Sequence, residues 1–184
     1  MKIIKHLFDD VLVIEPKIFD DNRGFFFESY HDTKMANLGI SVRFVQDNHS
    51  YSKFKNTIRG MHFQSDNFAQ SKLVRVIKGE IENFVVDIRR SSKSFLKYDS
   101  YILSAENKYM LYIPRGFANG FKTLTDGCEV LYKVDNYYSP KFDHAFRFDD
   151  PEIGIQWNVN NPILSDRDRN APYFADIKGS NIFK

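Results

Sequence analysis

The sequence has almost no cysteine: Cys128 is the only one in 184 residues. No intrachain disulfide can form, so a reducing, cytoplasmic compartment is the expected setting. Long apolar runs are missing as well. Nothing approaches the roughly 20 residues that a helix needs to cross a bilayer, and no membrane partner is expected. The N-terminal stretch "MKIIKHLFDDVLVIEP" is interrupted by Asp9 and Asp10, so it lacks the apolar core of a signal peptide. Excess charge of one sign is a third absence. Lys and Arg number 26 against 24 Asp and Glu, a formal net charge of +2, which leaves no broad basic field for nucleic acid. The fourth absence is a metal-binding histidine pattern. Two places after His62 stands Gln64, and His6, His31, His49 and His144 lie at no spacing that supplies three or four ligands. No metal is expected.

What the chain does have is aromatic and β-forming residues, including 18 Phe and 10 Tyr. Strand-length runs follow one another at about ten-residue spacing: 11–16, 24–30, 41–50, 57–64, 72–88, 98–104, 108–114, 120–125 and 129–138. Turn signals such as "KGE", "SAEN", "PRG", "TDG" and "YSP" separate them. One short helix is expected in "DTKMANLG", closed by Gly39. Beyond residue 140 the pattern loosens into loops and a short helix laid over the strands. The length suits one domain, residues 1–184, and no repeat or linker divides it. An all-β sandwich or barrel is the expected architecture.

Alternation along each strand then sorts side chains by face. Val42, Phe44, Gln46 and Asn48 are expected on one face, as are Phe117, Asn119 and Phe121, and Val130, Tyr132 and Val134. His62 is in phase with Gln64, and Lys72 with Val74 and Val76. Polar groups therefore recur on otherwise apolar faces, where burial is costly unless each is satisfied. A barrel mouth holding a polar ligand would meet that need. Arg59 is out of phase with His62, and both reach one pocket only if Gly60 forms a bulge.

Each of these residues has an ordinary reading. A strand histidine is commonly satisfied by backbone, a strand lysine by solvent, and a core tyrosine by a nearby carbonyl. The chemical reading is more specific. An imidazole is suited to taking a proton near neutral pH, and a fixed ammonium to stabilising an enolate that appears only during reaction. A phenol can return a proton from the opposite side. Arg23 and Glu28 in "DNRGFFFESY" form an ordinary ion pair or a ligand contact, and Tyr137 and Tyr138 in "DNYYSP" either cover the surface or stack on a base. Asp168 in "LSDRDRNAP" says nothing by itself.

Ten segments in register give the chain a resemblance to a known family. "VLVIEPKIFDDNRGFFFES", "FVQDNHS", "RGMHFQ", "AQSKLVRVIKGEI", "VDIRRSSKSF", "LSAENK", "IPRGFANGF", "LYKVDNYYSP", "DDPEIGIQW" and "LSDRD" resemble, in order and spacing, the dTDP-4-dehydrorhamnose 3,5-epimerases. No one segment is decisive, but ten in register are specific. The resemblance implies a cupin-type jelly roll in a strand-exchanged homodimer, a nucleotide-sugar substrate, and no metal or other cofactor. It implies His62 as catalytic base with Asp168 as its paired carboxylate, Lys72 as the enolate-stabilising residue and Tyr132 as the acid. Arg59, Gln46 and Asn48 match positions that hold sugar and diphosphate. Arg23, Phe26 and Glu28 match the segment that contacts the nucleotide from the partner subunit, and Tyr138 the residue stacking near the base.

The chain departs from that family at position 119. Where the family reads "GFAHGF", this sequence reads "GFANGF". Asn119 can hydrogen-bond a hydroxyl or phosphate but cannot titrate near neutrality. The expected activity is inversion of C3 and C5 in a dTDP-linked 4-keto-6-deoxyhexose, for dTDP-L-rhamnose-type deoxysugar biosynthesis. The alternatives are a single-centre epimerase acting on another nucleotide 4-ketosugar, a cupin that binds such sugars without turnover, and a metal-dependent cupin oxygenase.

Overall fold

The computed structural model describes residues 1–177. Two antiparallel sheets carry most of the chain. One has six strands in the order β1 (Lys2–Leu7), β2 (Val11–Glu15), β10 (Met110–Ile113), β7 (Lys72–Lys78), β12 (Cys128–Val134) and β5 (Gln46–Ser52). The other has five, ordered β13 (Asp143–Ala145), β6 (Ile58–Gln64), β11 (Phe117–Thr123), β8 (Glu80–Asp87) and β9 (Tyr98–Ser104). A separate hairpin pairs β3 (Ile18–Asp21) with β4 (Gly24–Phe27). The helices are short: α1 (Asp32–Ala36), α2 (Asp166–Arg169) and α3 (Phe174–Ile177).

The apolar alternation explains how the sheets meet. Val13, Val74, Val76, Leu111 and Val130 from the six-stranded sheet share one core with Ile81, Val85, Leu103, Phe117 and Phe121 from the five-stranded sheet. The outer face of the five-stranded sheet is covered too. Met61, Phe63, Phe84, Val86 and Ala118 pack there against Phe146, Trp157 and Phe174 from the C-terminal segment. That is why β11 is buried along its whole length and β8 along most of it. The outer face of the six-stranded sheet packs Leu12, Ile14, Leu73 and Met110 against Met35 of α1 and Ile40. The architecture is the all-β jelly-roll sandwich expected from the sequence.

The expected runs 24–30 and 129–138 end early, at Phe27 and Val134, and three other boundaries differ from expectation in ways that bear on the site. The run 72–88 is two strands, because Gly79 turns the chain (φ +76°) from one sheet into the other. The strand expected at 41–50 begins only at Gln46. Val42 and Phe44 consequently do not share the inner face with Gln46 and Asn48. They pack against the outer cluster around Met35 and Ile40, whereas Asn48 pairs across from Tyr132. Apolar burial outside the sheet overrode simple alternation there. The strand beginning at Phe117 is longer than the expected 120–125 run.

Candidate active site

At one end of the sandwich interior the apolar core gives way to a cavity of about 300 Å³. Its two walls bring different chemistry. The six-stranded sheet contributes Lys72 and Tyr132, because Val134 lies opposite Lys72 and Tyr132 opposite Val74 across the β7–β12 ladder. The five-stranded sheet contributes Arg59, His62 and Asn119.

Arg59 and His62 share a wall through a bulge. Asn119 opposes His62 and Phe121 opposes Arg59, so two steps along β11 are matched by three along β6. The extra residue falls at Gly60–Met61, as the phase mismatch requires. Gly60 has φ +125°, and a Cβ there would lie 2.6 Å from the Gly120 Cα and 2.9 Å from the Asn119 carbonyl oxygen. Only glycine fits both the backbone angle and the close approach.

The bulge also anchors the carboxylate behind the imidazole. Asp168 lies in α2, whose N-cap Ser165 accepts a hydrogen bond from the Asp168 N–H. Asp168 is 3 % exposed, and its Oδ1 is 2.6 Å from His62 Nε2. Burial alone would raise its pKa. Hydrogen bonds from His62, Ser165 and the Gly60 N–H, with the imidazole's charge, outweigh that and hold it below the ordinary carboxylate value. In the tautomer that donates Nε2–H to Asp168, the lone pair sits on Nδ1.

On the facing wall, burial pushes the Lys72 ammonium down to about 8, with Asp143 opposing the shift. Burial pushes the Tyr132 phenol up; Arg59 pulls it down and Asp143 adds to the rise. Near neutral pH the cavity thus holds a protonated phenol and an ammonium that is easily neutralised. Among the described residues no cluster of three or more His, Cys, Asp or Glu side chains is arranged to hold a metal ion.

The remaining candidates divide into two groups. Arg59 donates to Ser52 Oγ (3.0 Å) and the Tyr51 carbonyl (2.8 Å). Gln46 donates to Asn48 Oδ1 (2.9 Å) and accepts from the Tyr138 N–H (3.4 Å), so β5 links the Tyr132 wall to the rim. The Tyr138 ring is 56 % exposed there, its phenol tied to Asp143. Arg23, Phe26 and Glu28 stand apart from the cavity. Arg23 pairs with Asp21 at 2.6 Å, Phe26 packs on Phe19, and Glu28 pairs with Lys34.

Sequence reasoning overlooked Ser50, Ser165 and Arg167, which also line the cavity, and Asp143, which holds Arg167 at 2.8 Å. The spacing of Ser165 and Asp168 is a helix N-cap signature and could have been noticed. Asp143 lies on β13, a three-residue strand too short to read from sequence.

Fold and cavity define the class: a cupin-type jelly roll with acid–base groups gathered in its mouth. The chain belongs to the dTDP-4-dehydrorhamnose 3,5-epimerase family, whose model matches residues 5–176. It is 51% identical over 174 residues to the dTDP-4-dehydrorhamnose 3,5-epimerase of Salmonella typhimurium, covering 94% of each chain. The crystal structure of the Bacillus anthracis enzyme of that name, with TDP and PPi bound, is 47% identical and superposes with a TM-score of 0.92, over 94% of this chain and 99% of that one. A 3,5-epimerase from Legionella pneumophila, in complex with dTDP-4-keto-L-rhamnose, is 39% identical with a TM-score of 0.94, over 100% and 97% of the two chains.

Proposed function

We propose that the protein is a cofactor-independent epimerase that inverts C3 and C5 of a dTDP-linked 4-keto-6-deoxyhexose, a step in dTDP-L-rhamnose-type deoxysugar biosynthesis. The observation that carries the reading is the His62–Asp168 pair at 2.6 Å, facing Lys72 and Tyr132 across one cavity. The names and bound ligands of the relatives support the substrate class.

The chemistry follows from the walls. Hydrogens on C3 and C5 are both α to the C4 ketone, so removing either leaves a carbanion delocalised onto that oxygen. Neutral His62 takes the proton through Nδ1, and Asp168 stabilises the imidazolium that forms. Lys72, already desolvated, meets the enolate oxygen as its charge develops. Tyr132 returns a proton from the other sheet, hence to the other face of the ring, and the centre inverts. Arg59, Gln46, Asn48 and Asn119 hold sugar and diphosphate, with Tyr138 stacking near the base. Arg23, Phe26 and Glu28 act from the partner subunit of a homodimer, which accounts for their distance from their own chain's cavity. The cytoplasm is the proposed compartment.

Incubation with dTDP-4-keto-6-deoxyglucose in D₂O, followed by NMR, tests the reading. Deuterium at both C3 and C5 is the expected result; its absence at both positions would overturn it. A second reading, inversion at one centre alone, is favoured by Asn119 standing where the family carries a titratable histidine. Label confined to C3 would select it.

A further inference from the structure

Asn119 is 9 % exposed and lies directly across from His62 in the β6–β11 ladder. Its amide has one orientation. Nδ2 is 3.1 Å from the Phe84 carbonyl oxygen and 2.7 Å from Asn83 Oδ1. A backbone carbonyl can only accept, so the Asn119 atom facing Phe84 must be the amide nitrogen. The opposite orientation would set two oxygens against each other. With that settled, the Asn83 atom facing Nδ2 must be its oxygen. Asn83 is fully buried, and its own Nδ2 has no hydrogen-bond partner among the described residues. An unsatisfied buried amide is destabilising. The fold tolerates that cost in an arrangement that turns Asn83 Oδ1 toward Asn119.

Both Asn119 amide hydrogens are thereby drawn toward the sheet, by Asn83 and by Phe84. What Asn119 has left to offer the cavity it lines is Oδ1, an acceptor for which no donor is found among the described residues. We infer that Asn83 is a positioning residue which fixes Asn119 as an acceptor for a neutral ring hydroxyl of the bound hexose, beside His62. Phosphate oxygens, which have no proton to give at neutral pH, are not recognised there. The site thus requires a hydroxyl at a ring carbon near the reacting centre. The inference rests on the nucleotide-hexose reading and adds to it the polarity of one contact.

The test measures dissociation constants by calorimetry for an unreactive dTDP-6-deoxyhexose bearing a hydroxyl in place of the C4 ketone, and for its 2-deoxy and 3-deoxy analogues. One deoxy analogue is expected to bind the wild type ~10-fold or more weakly than the parent, since a buried acceptor loses its donor. Asn83→Asp keeps the oxygen that orients Asn119 and should keep the penalty. In Asn119→Ala and Asn83→Leu the penalty should shrink to about 3-fold or less. If Asn83→Leu does not fold, the wild type, Asn119→Ala and Asn83→Asp decide the matter. A penalty unchanged in Asn119→Ala, or absent for both analogues, overturns the inference. Deuterium exchange at C3 and C5 with no hydroxyl penalty leaves the epimerase standing without it; a penalty without exchange does the reverse. Failure of the parent sugar to bind overturns both.

Discussion

The cavity and the β3–β4 hairpin are both built from short antiparallel strands with aromatic and charged residues, yet they end in opposite states. In the cavity Asp168 is held by His62, Ser165 and Gly60, and Arg59 by Ser52 and Tyr51. In the hairpin, Phe19, Phe25 and Phe26 are more than half exposed. Lys108 lies over the Phe25 ring and Arg75 over the Phe27 ring. One region is completed by its own chain; the other displays apolar surface that its own chain does not cover. On the proposed reading, the difference separates chemistry, which one chain would perform, from grip on the nucleotide, to which a second copy would contribute.

The sharpest way to break that division is His62→Ala. It should lower deuterium incorporation by ~10²–10⁴-fold, the usual worth of a positioned general base, while dTDP affinity stays nearly unchanged. Equal loss of both would make His62 a structural residue and remove the distinction. Lys72→Met should cost ~10²–10³-fold in turnover, the scale of one lost transition-state charge contact. Its pH signature separates function from fold. The Lys72 pKa is lowered from 10.5 to about 8, so activity should fall as pH rises through 8 and the ammonium is lost. Stability should move the other way. Between about 8 and 10.5 the unfolded chain holds the proton that the folded chain has released, so stability rises with pH across that window. Melting curves of Lys72→Met against wild type should show the variant's advantage largest below pH 8 and shrinking above it. An advantage independent of pH would mean that the ammonium is not desolvated.

Tyr132→Phe should have a smaller effect on exchange than on inversion. The His62 wall can still take and return a proton on its own face, so deuterium enters with retention. Epimer yield should fall ~10²-fold while label uptake falls much less. Parallel loss of both would place proton return elsewhere.

These walls were partly legible before the structure. The phase mismatch between Arg59 and His62 foretold the Gly60 bulge, because a strand's period of two leaves no other way to bring both inside. The sandwich and its inward Lys72, Asn119 and Tyr132 followed from the same period. Position 41–45 was misread, since alternation cannot tell an inner face from an outer one when both are apolar. Asp168 carried no signal of its own: its pairing with His62 spans 106 residues and arises from the docking of α2 against β6, which only the resemblance anticipated. The Asn83 contact was equally invisible, because nothing local distinguishes a strand asparagine that orients another from one that faces water.

The hairpin offers the smallest effect on turnover and the most direct test of the comparison. Burying one phenyl ring is worth about 1.5–3 kcal/mol, or ~10–100-fold in an association constant. If Phe26 is covered by a second copy, both chains of a symmetric dimer lose the ring in Phe26→Ser, so dimerisation should weaken by the square of that factor, ~10²–10⁴-fold, read by sedimentation from nanomolar to high micromolar concentration. KM should rise with it, since Arg23 and Glu28 flank Phe26 and would lose their hold on the neighbouring nucleotide. At saturating substrate kcat should change by less than about 3-fold, because His62, Asp168, Lys72 and Tyr132 all come from one chain. A collapse of kcat at saturation would mean that the hairpin shapes the reacting centre itself. Unaltered assembly and unaltered KM would mean that the exposed rings have no partner in this role, and the contrast between a self-sufficient cavity and a borrowed grip would fail.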